Sequence, residues 1–247
     1  MVKHGLMPLG SLGLLLILWH LTATELASPL LPAPWTVFEL IGEETQSGRL
    51  PRQMAATFRR LALGFSLSMT VGVALGILLG RCPRLDRFFD SWLTVALNIP
   101  ALVSIILCYL WFGLNETAAI VAVFLNKVPN VIVTLREGTR QSRRALLEMA
   151  EVYQFGWIRT MRHVVWPPLF PYVMTAARTG LALIWKIVLV VELLGRSDGM
   201  GYQLHLYFQL FDVTGILGYS IAFILAIQGI EWGVLAPLDR WATRWQR

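Results

Sequence analysis

The chain has 247 residues, 56% of them apolar and only 15% charged, with a mean hydropathy of +0.60. A soluble domain carries about 25% charged residues, so this balance excludes a disordered chain, argues against an ordinary soluble enzyme and fits a polytopic membrane protein. The net charge of +6, with 18 of the 21 basic residues arginine, raises the question of nucleic acid, but basic residues also gather in the cytoplasmic loops of membrane proteins.

At about 20 apolar residues per crossing helix, the length accommodates about five to seven spans and no large soluble domain. The first apolar run, Leu6 to Ala23, follows Lys3 and His4. It is long for a signal peptide and no small-x-small cleavage site follows it, so it reads as a first span over 6–23. Glu25 to Arg52 holds Pro29, Pro32, Pro34, Pro51 and four glutamates, and is too broken to span. A second span covers 61–80 and stops at Arg81, Pro83, Arg84 and Arg87. The third, 91–113, has Trp92 and Trp111 nineteen residues apart, roughly 28 Å on a helix, which suits interfacial anchors at both membrane faces. Asn98 and Pro100 interrupt its first half. A fourth span, 117–135, carries Lys127 and Pro129 near its middle, and a hydrophilic block from Arg136 to His163 follows. The fifth and sixth spans cover 171–194 and 214–235, and a short basic tail ends at Arg247.

With six spans and a cytoplasmic start, 13 of the 21 basic residues fall in cytoplasmic segments and 5 outside, the rest lying within spans. That asymmetry predicts both termini inside, so the basic surplus reads as topology and not as nucleic-acid binding. Cys82 and Cys108 have no metal-ligand spacing and imply neither a zinc site nor a disulfide framework.

Two spans carry small residues at helical spacing. Gly64, Ser68, Gly72, Gly76 and Gly80 recur every four residues; Gly215, Gly218, Ala222, Ala226, Gly229 and Gly233 follow a three-and-four rhythm. Such ladders let helix backbones approach closely in lipid. Plain helix packing is the simpler reading, a sliding or dimer interface the other. Charges within spans each cost about 2.5 to 3.5 kcal/mol at the bilayer centre unless paired or hydrated. Lys127, Arg178, Lys186 and Glu192 are therefore candidates either for structural ion pairs or for a pathway or gating role. Lys186 lies deep beside Trp185, whereas Glu192, Arg178 and Glu231 sit near span edges. Lys186 and Glu192, six residues apart, do not share a helix face, so their partners are expected on other helices.

No catalytic or metal constellation is visible: His4, His20, His163 and His205 are scattered, and no phosphate loop of the G-x-x-x-x-G-K-[ST] kind occurs. A pump built on this chain draws its energy from another polypeptide.

The segment 136–167 is the most specific feature. Residues 145 to 153 are expected to be helical, with Leu146, Leu147, Ala150 and Tyr153 at three-and-four spacing. Gly156 is expected to break that helix and a second short one to run to Pro167. A helix–turn–helix outside the membrane presents a knob to a cytoplasmic partner.

Here the chain resembles the permease subunits of bacterial ABC importers, whose cytoplasmic loop reads Glu-Ala-Ala, three residues, Gly, and later an apolar-x-Leu-Pro. Glu148 and Ala150 match its first and third places, and Val165-Trp166-Pro167 its end. Met149 replaces the middle alanine, and the family's glycine falls at Gln154, two places before Gly156. Ile99-Pro100, Leu110 to Gly113, the Trp185 to Gly195 stretch and Gly199-Met-Gly201-Tyr resemble the nitrate/sulfonate/taurine branch.

That resemblance implies an all-α, single-domain permease of the type I importer fold, in a bacterial inner membrane. It implies a homodimer of permeases, two cytoplasmic ATPase subunits that bind ATP and magnesium (no cofactor on this chain), and an external solute-binding protein. Glu148, Ala150, Tyr153, Gln154, Gly156, Trp157 and Pro167 would couple the chain to the ATPase, with Glu148 to Trp157 as the coupling helix. The solute would be small and anionic. The rival readings are an ion-gradient-driven secondary transporter, whose usual inverted repeats are not seen, and an intramembrane enzyme.

Overall fold

In the computed structural model the described residues are 6–26, 28–141, 149–150, 152–235 and 237, and all regular structure among them is helical. Nine helices are labelled here in chain order: α1 Leu6–Leu26, α2 Pro34–Gln46, α3 Arg49–Arg81, α4 Pro83–Asn98, α5 Ala101–Phe112, α6 Glu116–Gln141, α7 Trp166–Gly195, α8 Met200–Gln209 and α9 Val213–Ile230. A helical turn at Trp157–Thr160 and a π-helical turn at Met161–Val165 lead into α7, and a second π-turn, Glu231–Leu235, follows α9.

The centre is the α3–α6 pair. A Cβ built on Gly64, Gly72, Gly76 or Gly80 would lie 2.5–2.6 Å from side chains of Val123, Val131, Leu135 or Thr139. The first glycine ladder is thus the face on which α6 lies, closer than any side chain would allow. Van der Waals contact between backbones does the work there that the hydrophobic effect does in water. α7 packs against both α6 and α3, with Ile184, Val188 and Val191 closing a core over Leu61, Ile105, Cys108, Ala118, Ala119 and Val123. A second core joins α2, α3, α8 and α9 through Leu50, Met200, Tyr219, Ala222 and Phe223. The second ladder divides: Gly215 abuts Tyr207 and Gly218 abuts Leu40, while Gly229 and Gly233 meet nothing within 4 Å.

Helix ends follow local chemistry. Asn115 caps α6 by accepting from Ala118 N–H at 2.8 Å, and Asp212 caps α9 by accepting from Gly215 N–H at 3.0 Å. Pro34 and Pro83 open α2 and α4, where a missing N–H costs nothing.

Several sequence expectations need correction. The third span is not one straight helix: α4 and α5 meet at a 96° bend, so Trp92 and Trp111 are not held 28 Å apart as two anchors. The cause is Pro100, whose ring pushes Ile99 to an extended ψ of 123° and ends α4. The polar stretch 25–52, read as too broken to span, contains the 13-residue α2, and the helix that carries the second span, α3, begins at Arg49, before the expected start of that span at Leu61. No second short helix stops at Pro167; the turn at Trp157–Thr160 runs through the π-turn directly into α7. By length and composition α3, α6 and Val213–Gly233 can cross a membrane, with a fourth crossing if the α4–α5 pair counts as one. Among the described residues, not all six expected spans pass that test of length and composition. The described apolar stretch of α1, Gly10–Leu26, is shorter, and the 30-residue α7 carries Arg178, Lys186 and Glu192.

Candidate functional site

Three charged sites stand out. At one end of the α3–α6–α7 core, Arg60 is 1% exposed and Glu192 0%. Arg60 Nη1 donates to Glu192 Oε1 at 2.7 Å and to the Asp198 backbone carbonyl at 2.9 Å; Nη2 reaches Glu116 Oε2 at 2.9 Å and also Asp198. Glu192 further accepts from Thr57 Oγ1 at 2.8 Å and Gly201 N–H at 2.9 Å. Arg59 and Arg196 add charge on the Glu116 side. The network therefore ties α3, α6, α7 and the 196–201 turn, whose Gly199 takes φ +109 with Glu192 against its Cα. A Cβ could not stand there. Glu192 thus finds its partners on other elements, as its spacing predicts. Arg60, Glu116 and Asp198 were not anticipated, because Arg59-Arg60 at a span edge reads as an orientation signal. The pointer to them was Glu192 itself, a carboxylate in an apolar run that needs a cation.

The remaining candidates separate. Lys127 is 2% exposed, and its Cε and Nζ occupy the space that a side chain at Gly180 would fill. It therefore lies between α6 and the buried face of α7. Lys186 instead sits on the exposed side of α7, its amine 5.4 Å from the Trp185 ring centroid. Lys186, Arg178, Thr179, Trp185, Gln228 and Glu231 line a cleft of about 490 Å³ between α7 and α9. Lys127 and Lys186 thus do not face a common space, whereas Arg178 and Lys186 do.

At the opposite end, Asp86 in the first turn of α4 accepts from Arg136 Nη1 at 3.1 Å and from Arg140, one helical turn on along α6. Tyr172 Oη donates to Gln141 at 2.6 Å, joining α7 to the last turn of α6. Beyond it comes the loop with the helix–turn–helix. Glu148 lies outside the described residues. Met149, Ala150 and Val152 are helical, Ala150 is buried, and Val152, Tyr153 and Ile158 are exposed at 80%, 69% and 74%. The helix closes with the Phe155 N–H on the Ala150 carbonyl at 2.9 Å while Gln154 takes φ +49. That is a Schellman cap with glutamine where glycine is usual. Gly156 has no positive φ and open space around it, so the turn is made at Gln154 and not, as expected, at Gly156. The backbone thus takes its left-handed residue at the place where the family motif has glycine. Pro167 is exposed in the first turn of α7, and Trp157 opens the helical turn that leads there.

Comparisons with known proteins fit this architecture. A solved chain of the MetNI methionine ABC transporter superposes with a TM-score of 0.66 at 16% identity, over 76% of this chain and 93% of that one. That likeness concerns the fold, which is the all-helical type I importer permease fold. A Bacillus subtilis protein named for aliphatic sulfonates transport is 31% identical over 178 residues, which span 72% of this chain and 64% of that one. The Escherichia coli taurine transport system permease protein is 26% identical over 97% of this chain and 89% of its own length. The model of the family described as binding-protein-dependent transport system inner membrane component matches residues 72–230. The chain belongs to that family, as a transport permease subunit and not an enzyme.

Proposed function

We propose that this chain is the membrane-crossing subunit of an ATP-driven importer, working by alternating access. The single observation that carries this reading is the capped helix–turn–helix between α6 and α7. It exposes Val152, Tyr153 and Ile158 and runs without interruption into α7, whose Tyr172 is hydrogen-bonded to Gln141 in the last turn of α6. Apolar side chains on a rigid projection suit a cleft in a protein partner, and a force applied there reaches two core helices at once. The partners in this reading are two cytoplasmic ATPase subunits, which supply ATP and magnesium, a second copy of the permease, and an external solute-binding protein. Both termini are cytoplasmic, from the distribution of basic residues. Glu148, Ala150, Tyr153, Gln154 and Trp157 belong to the coupling element. Gly156 and Pro167 lead into α7.

The relatives named for sulfonates and taurine support a small solute with an anionic group. Arg178 and Lys186 suit its path, because both line an open cleft; Glu192 suits a gate anchor, and Lys127 the α6–α7 interface. The test is to co-express the chain with candidate ABC ATPase subunits from the same genome and to purify the complex. Ile158→Glu is expected to abolish ATPase co-purification while leaving membrane insertion intact. A complex that survives this substitution, or a chain that transports without an ATPase, overturns the proposal.

A further inference from the structure

We infer that the seam between α6 and α7 is the slip plane of this chain and that Lys127 keeps it from locking. This rests on the permease reading only for what drives the movement. The α3–α6 face is filled by short branched side chains, Val123, Val131, Leu135 and Thr139, each lodged against a glycine that precedes it by 59 positions. By the same offset Ser68 stands opposite Lys127, at the middle of that ladder. The α6–α7 seam is built otherwise. There the Tyr172 ring of α7 takes the place of a Cβ at Gly138 of α6, and the Lys127 stem of α6 does the same at Gly180 of α7, with Nζ 2.6 Å from where that Cβ would stand. The two pairs run in opposite order, so the helices are antiparallel and each offers a glycine notch to a movable side chain of the other.

Lys127 is the anomaly in this seam. It is 2% exposed, and among the described residues its ammonium has neither a carboxylate nor a hydrogen-bond acceptor. Ser68 gives its own hydroxyl proton to the Gly64 carbonyl at 2.7 Å. The equally buried Arg60 and Glu192, by contrast, satisfy each other. A buried ammonium without a counter-charge penalises the packed seam and gains hydration in any arrangement that opens it. Because the charge sits on a flexible four-carbon stem, it leaves the notch by rotating its own bonds, with no helix broken. One end of the seam is held by the Arg60–Glu192 network and the other by the single Tyr172–Gln141 hydrogen bond. α7 therefore moves against the α3–α6 body from the second end, next to the helix–turn–helix. Packed and open seams are kept close in free energy, a balance that an apolar side chain at 127 removes.

Ala176, one turn before Gly180 on the same buried face of α7 and 1% exposed, is the reporter position. Ala176→Cys in a Cys82→Ser, Cys108→Ser background is labelled with methyl methanethiosulfonate, which is small and uncharged. The measurement is made on the chain alone and on its complex with the ABC ATPase, both in proteoliposomes. Labelling of the complex is expected to be about tenfold faster or more during ATP turnover than without nucleotide. Lys127→Met should slow labelling in both preparations, raise the unfolding midpoint and lower transport several-fold. Gly180→Ala, whose Cβ displaces the stem, should speed labelling without nucleotide and lower the midpoint. Labelling that ignores ATP, or labelling and transport that Lys127→Met leaves unchanged, overturns the slip plane. Should Lys127→Met fail to insert, Gly180→Ala decides alone, and labelling no faster than in the parent overturns it. A chain that no ATPase binds counts instead against the permease reading, while the variants of the chain alone still read the seam, so the two failures are distinguishable.

Discussion

Arg60 shows how much a single residue can hold together. Its guanidinium fork reaches Glu116, Glu192 and Asp198 at once, which a lysine's single ammonium on a flexible stem would not reproduce. Removing one partner of a buried ion pair leaves an uncompensated charge, a loss of about 3–5 kcal/mol. Arg60→Gln is therefore expected to lower the thermal unfolding midpoint in detergent sharply, and Arg60→Lys to recover little of it. The double substitution Arg60→Met with Glu192→Gln should be less harmful than Arg60→Gln alone, since it removes both charges. At Gln154 the expectation has the opposite sign. A non-glycine residue in the left-handed region costs about 1–2 kcal/mol, so Gln154→Gly should raise the unfolding midpoint, whereas Gly156→Ala should change stability by less than about 0.5 kcal/mol. A lower midpoint for Gln154→Gly would show that the cap is not formed as described.

At the scale of elements, the two glycine ladders had the same sequence signature and met different fates. The α3 ladder is filled by Val123, Val131, Leu135 and Thr139, and a larger residue there must push α6 away. Gly76→Leu is expected to destabilise by at least the 1–3 kcal/mol or so typical of overpacking, read as loss of the monodisperse species in fluorescence-detected size exclusion. Gly229→Leu, which meets nothing within 4 Å in the single chain, should leave that profile unchanged. If Gly229→Leu instead breaks the assembly, the lower end of α9 faces a second copy. The α4–α5 break is likewise a local event with a large consequence. One proline turns what would be a single crossing into two helices at 96°. Pro100→Ala is expected to lessen that bend, which a spin-label distance between positions 92 and 111 would report as an increase.

Across the whole molecule, the charged sites mark two ends of one lever. The Arg60–Glu192 network clamps α3, α6 and α7 at one end, and Asp86 with Arg136 and Arg140 clamps α4 to α6 at the other, next to the projecting loop. On the proposed importer reading, a push on the loop would pass into α7, from there through Tyr172–Gln141 into α6, and through Asp86 into the bent α4–α5 pair. Asp86→Asn weakens that last connection without emptying the core. In the assembled importer it is expected to slow transport several-fold while ATP hydrolysis persists. Transport and hydrolysis falling together would show that the α4 contact is merely structural.

Composition and hydrophobic runs were enough to determine the solvent and the helical class, because lipid demands long apolar helices whatever their partners; the family was suggested by the resemblance of the 136–167 motif and of the stretches around Pro100 and Lys186. The loop motif was legible for the same kind of reason: its residues sit at fixed local spacing. Glu192 announced that a cation must exist, but nothing near it in the chain said which one. Arg60 lies 132 residues away, and adjacent arginines at a span edge carry the same sequence signal whether they set topology or lock a core. Only the packed helices separated Lys127 from Lys186, chose Gln154 over Gly156 for the turn, filled one glycine ladder and left part of the other open. Each of those outcomes depends on what stands opposite a residue, and opposition is a property of the tertiary structure alone.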